Sequence, residues 1–188
     1  MANNKPSAFG DWNYEQYNRP IKYGDEATYH VGAAALSRYE SLEDWGGGTG
    51  YFKQVMAGYN PACRVLLVDG GHSQFVDRQV NLLTYRSNTP AIFMRHVIEH
   101  NNAWETILRN ACESFQNEMI LILFTPFVDV QTDLYKTKSQ KGPYIAWAFS
   151  RGQITSVLDS YGFEYTIATL KTDTEFQIEH VIKIMRTA

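Results

Sequence analysis

The sequence predicts an α/β fold in which helices cover both faces of a doubly wound sheet, and three observations lead to it. Strand-like and helix-like segments alternate along most of the chain, as expected of strand–helix–strand units. A run of glycines, Gly46 to Gly50, joins the first strand-like segment to a helix-like one. The run Met119 to Phe124 reads MILILF, and such an unbroken apolar sequence is typical of a central strand covered on both faces.

The first half of the chain predicts a strand–helix–strand unit that follows an irregular arm. Residues 1–28 show no clean period and form the predicted arm, with a short helix over residues 27–39. The elements that follow are a strand at 41–45, the glycine turn at 46–50, a helix that opens over 51–56 and a strand at 64–69. A short third strand is then predicted at 79–85, in a compressed region before a turn at 87–90.

The second half of the chain predicts two more pairs of strand and helix and a final strand. The predicted elements are a strand at 91–95, a helix at 103–115, a strand at 119–124, a helix at 154–161 and strands at 164–170 and 179–186. Asn101 or Asn102 is available as the N-cap of the helix at 103–115. Residues 125–151 exceed the usual length of a loop, so we expect them to lie over the substrate side of the domain.

The size and composition of the chain limit its class. With 188 residues, 44% of them hydrophobic and 20% charged, one domain with a conventional core is expected over residues 1–188. The formal net charge of −3 disfavours nucleic acid as a partner. The two cysteines form no CxxC pair, which favours a reducing, cytoplasmic setting. We expect no membrane partner, because the apolar runs are strand-sized and the N-terminus lacks the pattern of an export signal.

The glycine turn and the acid that ends the next strand predict a cofactor site. Glycines at every second position, Gly46, Gly48 and Gly50, let the backbone turn sharply and let a ligand approach closely. Asp69 ends the neighbouring strand, where a carboxylate can accept two hydrogen bonds from a ribose diol. The dinucleotide motif GxGxxG needs a glycine where Tyr51 stands, and no P-loop lysine follows the turn. The two features therefore indicate an adenosine-containing cofactor other than a dinucleotide.

Two motifs resemble one known family. Asp44-Trp45-Gly46-Gly47-Gly48-Thr49-Gly50 matches D/E-x-G-x-G-x-G, the first motif of the class I S-adenosylmethionine-dependent methyltransferases, at every fixed position. The segment HVIEH, His96 to His100, resembles the HVLEH that often follows the fourth strand in that family. The resemblance covers about residues 29–188. It implies a mostly parallel, Rossmann-like sheet with an antiparallel C-terminal strand.

The same resemblance implies an enzyme that uses S-adenosylmethionine and releases S-adenosylhomocysteine. It implies that Asp44 and the backbone of the turn hold the methionine end of the cofactor, and that Asp69 takes the ribose hydroxyls. The complete set of implied cofactor residues is Asp44, Gly46, Gly47, Gly48, Gly50, Asp69, Gly70 and Arg95. The walls of the adenine pocket are less defined, with residues 70–72 on one side and residues 83–86 as candidates for the other.

His96 is the candidate for a catalytic residue, because the family's pattern places it near the methyl-donor end. It could orient or deprotonate a substrate hydroxyl or amine, and simple packing is the alternative. Aromatic residues of the N-terminal part and of the long connection are candidates for walls over the methyl donor, again with packing as the alternative. They are Tyr14, Tyr17, Tyr23, Tyr29, His30, Tyr135, Tyr144, Trp147 and Phe149. The segment after the fourth strand lacks the D/N/S-P-P-aromatic signature of the family's DNA-methylating members. This absence favours O- or N-methylation of a small-molecule or sugar-like acceptor.

Three rival hypotheses remain open at this point. His96, Glu99 and His100 also match HxxEH, a zinc hydrolase motif, which requires a helix through residues 93–101 where the sequence predicts a strand up to residue 94. A non-catalytic module that binds an S-adenosyl cofactor is the second rival, and a dinucleotide oxidoreductase is the third. No resident metal is expected. The sequence does not determine the oligomeric state, although a homodimer is compatible with it.

Overall fold

The computed structural model describes residues 13–137 and 145–187. The beginning of the predicted arm, residues 1–12, lies outside the described residues, as do residues 138–144 of the predicted long connection and residue 188. Within these described ranges, no helix is long and apolar enough to cross a membrane.

The framework of the domain is a seven-stranded sheet with the strand order β3-β2-β1-β4-β5-β9-β8. The described residues form the strands β1 (Ser41–Trp45), β2 (Arg64–Asp69), β3 (Arg78–Gln79), β4 (Thr89–Arg95), β5 (Phe115–Leu123), β6 (Thr132–Asp133), β7 (Trp147–Ala148), β8 (Glu164–Lys171) and β9 (Ile178–Met185). Strands β1 to β5 run parallel, and β9 is antiparallel to both of its neighbours, β5 and β8. The predicted doubly wound, mostly parallel sheet with an antiparallel C-terminal strand is confirmed.

Helices cover both faces of this sheet, as predicted. They are α1 (Ala27–Leu36), α2 (Tyr51–Tyr59), α3 (Trp104–Ser114), α4 (Leu134–Thr137) and α5 (Arg151–Ser160). Buried residues of α1 and α2 share one apolar cluster with Phe93 of β4, whereas those of α3 and α5 share another with Ile92 and Met94. Because successive strand residues point to opposite faces, the two clusters lie on the two sides of the sheet.

The strands β1 and β2 have the predicted bounds, but the predicted third strand at 79–85 is wrong for most of its length. Strand β3 comprises only Arg78–Gln79, and a turn follows it. The Asn81 carbonyl accepts hydrogen bonds from the N–H groups of Thr84 and Tyr85, and the Asn81 side chain accepts one from Leu83. A local asparagine turn of this kind satisfies the backbone without a neighbouring strand.

Other boundaries differ because of hydrogen bonds that the apolar pattern does not report. Neither predicted N-cap asparagine caps α3: the cap position is Ala103, which makes no side-chain cap, and Asn101 donates instead to the Val97 carbonyl at 2.6 Å. Helix α5 begins at Arg151 rather than residue 154, because Ser150 and Gln153 form a reciprocal capping box. The region 125–151 is not a plain loop, since it contains α4 and the antiparallel pair β6–β7.

Candidate functional site

A cavity opens at the carboxyl ends of β1, β2 and β4, where the order of the strands reverses. Such a reversal point is the usual ligand crevice of an open α/β sheet. The cavity is lined by Tyr14, Tyr23, Tyr29, Asp44, Gly46, Gly47, Gly48, Asp69, Gly70, Leu82, Phe93, Arg95, His96, Val97, His100 and Asn101. Seven of the eight sequence-predicted cofactor residues therefore lie in one wall, together with His96. The exception is Gly50, whose left-handed backbone ends the turn and serves as the N-cap of α2.

The glycine turn has no room for side chains. Gly46 adopts a φ of 73°, and a Cβ there would lie 2.4 Å from Cγ2 of Val97. Gly47 has ordinary backbone angles, but its Cβ would lie 2.2 Å from Oδ2 of Asp44. At Gly46 the positive φ and the contact with Val97 both exclude a side chain, whereas at Gly47 a Cβ would require the Asp44 carboxylate or the turn to move. The turn therefore presents bare backbone to the cavity beside the Asp44 carboxylate.

Asp69 closes the turn from the end of β2. Its Oδ2 accepts a hydrogen bond from the Gly48 N–H at 2.9 Å, and its Oδ1 accepts one from the Gly71 N–H at 2.6 Å. Burial raises the pKa of this carboxyl, while the N–H donors oppose the rise. Each carboxylate oxygen keeps a second lone pair, so Asp69 can accept further hydrogen bonds from a ligand in the cavity.

Asp44 is one of two described polar residues lining the cavity that have a buried side-chain oxygen without a hydrogen-bond partner, and Asn101 is the other. Asp44 is buried, and its Oδ2 has no hydrogen-bond partner among the described residues. Burial, and then the negative charge of Asp69, raises the pKa of Asp44 to about 8. A buried acceptor without a donor is costly, and a ligand that brings a positively charged N–H would remove that cost.

Arg95 lines the cavity, but its guanidinium is engaged with the chain itself. It donates to Oγ1 of Thr28, to the carbonyls of Tyr23 and Asp25, and to Oε1 of Glu179, at 2.7 to 3.0 Å. These contacts fasten the segment 23–25 against the end of β4. The sequence assigned Arg95 to the cofactor through the family resemblance, and it did not predict this fastening role.

His96 follows β4 in a strained conformation. Its φ is 57°, which is unusual for a residue other than glycine, and its N–H donates to the Ile122 carbonyl at 3.0 Å. The ring lies 4.7 Å from that of Phe124, and Nε2 lies 2.5 Å from Oε1 of Glu179. Burial, and then the charge of Arg95, holds the pKa of His96 well below its usual value. Glu179 belongs to neither of the sequence motifs, so the sequence did not identify it as a candidate site residue.

The N-terminal segment supplies aromatic walls. Of the aromatic candidates for walls, Tyr14, Tyr23 and Tyr29 line the cavity, and Tyr144 lies outside the described residues. The candidates that do not line it are Tyr17, His30, Tyr135, Trp147 and Phe149. The segment is held in place where the Thr49 hydroxyl accepts from the N–H of Ile21 and donates to its carbonyl. Residues 83–86 were the candidates for a wall of the adenine pocket, but none of them lines the cavity, and the buried side chain of Leu82 lines it instead.

The geometry of HVIEH does not suit a zinc site. The segment contains a single turn of 3-10 helix, Ile98–His100, rather than the α-helix that the motif requires. Glu99 accepts a hydrogen bond from the N–H of Phe124, and Nδ1 of His100 lies 2.7 Å from the Ile145 carbonyl. In the part of the chain that the structure describes, no group of three or more His, Cys, Asp or Glu side chains could hold a metal ion.

Solved structures with the same arrangement of strands and helices are known. The magnesium protoporphyrin IX methyltransferase of Synechocystis PCC 6803, solved with bound SAH, superposes with a TM-score of 0.64 at 16% identity, covering 86% of this chain and 83% of the other. The 1,6-didemethyltoxoflavin-N1-methyltransferase of Burkholderia thailandensis gives 0.65 at 12% identity, covering 87% and 80%. The fold is that of the class I methyltransferases.

Other structures with the class I methyltransferase fold are considerably longer than this chain. Human N-acetylserotonin methyltransferase, solved with SAM, has a TM-score of 0.60 at 13% identity over 87% of this chain, which spans 52% of that protein. The similarity is therefore structural over most of the chain while the sequences have diverged. No protein-family model and no curated protein sequence matches the chain.

Proposed function

We propose that the protein is an S-adenosylmethionine-dependent methyltransferase that methylates oxygen or nitrogen of a small-molecule or sugar-like acceptor. The observation that carries the proposal is the pairing of two carboxyl groups in one cavity. Asp69 closes a bare glycine turn, and Asp44 presents an unpaired buried oxygen beside it. Structures of the same fold with SAH or SAM bound give further support.

The chain offers a distinct group for each part of the cofactor. The unpaired Oδ2 of Asp44 suits the ammonium of the methionine end, and the bare backbone of Gly46 to Gly48 leaves room for that end to approach. The remaining lone pairs of Asp69 suit the ribose hydroxyls. Gly70 and Leu82 lie on the wall available to the adenine. When bound, the cofactor supplies a methyl group activated by a positively charged sulfur.

The protein's own contribution to catalysis is mainly positioning and the exclusion of water. The walls formed by Tyr14, Tyr23 and Tyr29 cover the cavity, and the bonds of Arg95 hold the segment that carries Tyr23. Holding an acceptor in line with the methyl group accounts for a large share of the rate enhancement in such a displacement. His96, at the end of β4, is the group that can accept a proton from the acceptor.

Calorimetric titration of the wild-type protein with S-adenosylhomocysteine and S-adenosylmethionine tests this proposal, with NADH titrated in parallel. Saturable binding of the S-adenosyl compounds and no binding of NADH is the expected result. Release of S-adenosylhomocysteine in the presence of small phenols, alcohols and amines then tests for methyl transfer. Binding without transfer to any acceptor would favour a non-catalytic module, and no binding would overturn the proposal.

The proposal also covers the cellular compartment, the partners and the assembly state of the protein. Cys63 and Cys112 are both free thiols, which suits the reducing environment of a cytoplasm. The acceptor, rather than nucleic acid or a membrane, is the expected partner. A homodimer is compatible with these features, and sedimentation of the purified protein would measure the assembly state.

A further inference from the structure

Glu179 places a buried carboxylate against a histidine of the cavity. The residue lies in β9, outside the cavity wall, and its side chain is fully buried. Its Oε1 lies 2.5 Å from Nε2 of His96, which is itself a lining residue. The register of the sheet explains the contact: Leu123 of β5 pairs with His180, so Glu179 comes level with the carboxyl end of the neighbouring parallel strands.

The partners of Oε1 decide which nitrogen of His96 carries the hydrogen. Oε1 accepts hydrogen bonds from Nη2 of Arg95 at 2.7 Å and from Oγ1 of Thr28 at 3.0 Å. Burial raises the pKa of Glu179, whereas the charge of Arg95 and the hydrogen bonds from Thr28 and Arg95 favour the ionised form, which has no hydrogen to give. Nε2 of His96 must therefore be the donor. Nδ1 of the neutral ring is then left as the acceptor nitrogen.

The orientation of the ring is fixed from several sides. The left-handed backbone of His96 is held by its bond to the Ile122 carbonyl, and the ring rests against Phe124. Strained backbone of this kind persists only where the surroundings impose it, and it concentrates at functional sites. A histidine that served packing alone would need neither the strained backbone of His96 nor a buried carboxylate as its partner.

We propose that Glu179 is a positioning residue that holds His96 in the Nε2–H tautomer, so that Nδ1 serves as general base toward an acceptor whose nucleophile carries a proton. This inference rests on the proposed function. It narrows the acceptor to a hydroxyl compound or a protonated amine. An acceptor with no proton to lose, such as a thioether, would make no use of the arrangement.

The proposed step is a proton transfer. The O–H or N–H bond of the acceptor breaks, its electron pair stays on the oxygen or nitrogen, and the proton adds to the lone pair of Nδ1. The ring becomes an imidazolium whose charge faces the Glu179 carboxylate through the Nε2–H hydrogen bond. Burial and the charge of Arg95 lower the pKa of His96, so the ring is neutral and ready to accept a proton near pH 7.

The neighbouring His100 provides an internal reference for the test. Its Nδ1 lies 2.7 Å from the Ile145 carbonyl, and a carbonyl can only accept, so His100 has the opposite tautomer with the hydrogen on Nδ1. Two histidines four residues apart are thus expected to show opposite patterns of ring nitrogens. The chain contains five histidines, which keeps the spectrum simple.

The experiment is nitrogen-15 NMR of the histidine side chains in the full-length protein, with His96→Asn to assign the ring, because asparagine tolerates a left-handed backbone. We expect a protonated Nε2 and a bare Nδ1 for His96, and the reverse for His100. Glu179→Gln should convert His96 to a mixture of tautomers. The matched control is Glu118→Gln, which removes another buried carboxylate paired with an arginine, Arg38, at the other end of β5.

The outcomes separate this inference from the proposed function. A wild-type His96 with its hydrogen on Nδ1 would overturn the inference even if Glu179→Gln failed to fold, whatever the cofactor titration shows. Failure to bind any S-adenosyl compound would remove the proposed function while leaving the tautomer measurable. With an acceptor in hand, Glu179→Gln should lower kcat by about 10-fold or more and leave the affinity for S-adenosylhomocysteine unchanged. An unchanged kcat would also overturn the inference.

Discussion

The main-chain N–H of Gly48 donates a hydrogen bond to Oδ2 of Asp69 over 2.9 Å, so the acid that ends β2 holds the glycine turn that follows β1. The second oxygen of Asp69 accepts from Gly71. One carboxylate therefore organises both loops that border the cavity at adjacent strands. Any change at Asp69 affects the shape of the cavity as well as the contacts that a ligand makes there.

Replacing Asp69 by alanine tests both roles. The variant leaves the N–H groups of Gly48 and Gly71 without their acceptor, so the free energy of unfolding should fall by about 2 kcal/mol or more in urea denaturation. If Asp69 binds the ribose hydroxyls as proposed, two hydrogen bonds to the ligand are also lost, and the affinity for S-adenosylhomocysteine should fall by about 100-fold or more. Calorimetry and urea denaturation measure the two effects separately.

Asp77→Ala is the matched control for this variant. Asp77 also accepts a backbone hydrogen bond, from the N–H of Leu67 at 2.8 Å, but it does not line the cavity. We expect Asp77→Ala to lower stability and leave the affinity unchanged. Equal losses of affinity in both variants would mean that Asp69 acts only by stabilising the fold.

Gly47→Ala should abolish cofactor binding, whereas Gly58→Ala, a substitution nearby in the sequence, should be harmless. A Cβ at Gly47 would lie 2.2 Å from Oδ2 of Asp44, so the carboxylate or the turn must move. At Gly58, in α2, a Cβ meets nothing within 4 Å. Alanine favours a helix over glycine, so Gly58→Ala should raise stability by up to about 1 kcal/mol. Titration of both variants with S-adenosylhomocysteine checks the pair, and full affinity in Gly47→Ala would contradict the cavity geometry.

Local pattern was sufficient to predict the part of the site that lies near the glycine turn. Strands β1 and β2 have the predicted bounds because their apolar runs end at the turn and at Asp69. The acid and the turn then meet because parallel strands place their carboxyl ends at one edge of the sheet. Sequence order alone carries this information.

The contacts that fix His96 could not be predicted in this way. Glu179 is the single acid in β9, and it reaches His96 only because β9 inserts antiparallel between β5 and β8 in one register. A slip of one residue would turn its side chain to the other face of the sheet. The turn at Asn81 was not predicted from the sequence for a different reason. Its hydrogen bonds compete with strand formation, and the apolar residues Leu82 and Leu83 give the segment the pattern of a strand.

The contribution of the buried acids Asp44 and Glu99 to the stability of the protein should decrease between about pH 4 and pH 8. Burial raises the pKa of Asp44 to about 8 and that of Glu99 to about 8, from ordinary values of 3.8 and 4.5. At these two groups the folded protein binds more protons than the unfolded chain in this window, so their contribution to stability falls as the pH rises through the folded-state pKa. The lowered pKa values of His96 and His100 act in the opposite direction below the ordinary histidine pKa. Urea denaturation from pH 4 to pH 9 measures the slope, which Asp44→Asn should reduce.

Binding of S-adenosylhomocysteine at pH 7 should release about one proton from Asp44. The carboxyl is largely protonated at that pH, and the ammonium of the ligand favours its ionised form. Arg95 and Lys53 also favour ionisation, whereas Asp69 opposes it. Calorimetry in two buffers with different ionisation enthalpies counts the protons. The release should disappear in Asp44→Asn, and a wild-type protein that releases none would exclude this role of Asp44.

Removal of metal should leave the protein unchanged. The segment HVIEH forms a single turn of 3-10 helix rather than an α-helix, and among the described residues no group of three or more His, Cys, Asp or Glu side chains could hold a metal ion. Dialysis against a chelator is expected to change neither the melting temperature nor the affinity for S-adenosylhomocysteine. One tightly bound zinc per chain, lost in His100→Ala, would instead support a zinc hydrolase.

Arg95→Lys distinguishes a residue that contacts the cofactor from one that holds the wall of the cavity. A lysine keeps the charge beside Glu179, but its single ammonium cannot span Thr28 and the carbonyls of Tyr23 and Asp25 as the guanidinium fork does. If Arg95 holds the wall, amide hydrogen exchange should become faster in residues 21–25. The affinity for S-adenosylhomocysteine should then fall by up to about 30-fold, since roughly two net hydrogen bonds of about 1 kcal/mol each are lost.

Arg38→Lys is the control for this comparison, because Arg38 also pairs with a buried glutamate, Glu118, but lies outside the cavity wall. It should alter neither the exchange of residues 21–25 nor the affinity. If Arg95→Lys instead lost most of its affinity while the exchange of these residues stayed as in the wild type, Arg95 would have to contact the cofactor directly. Faster exchange with a modest loss of affinity would assign it to the wall, because the ligand would then lose only the ordered segment that carries Tyr23.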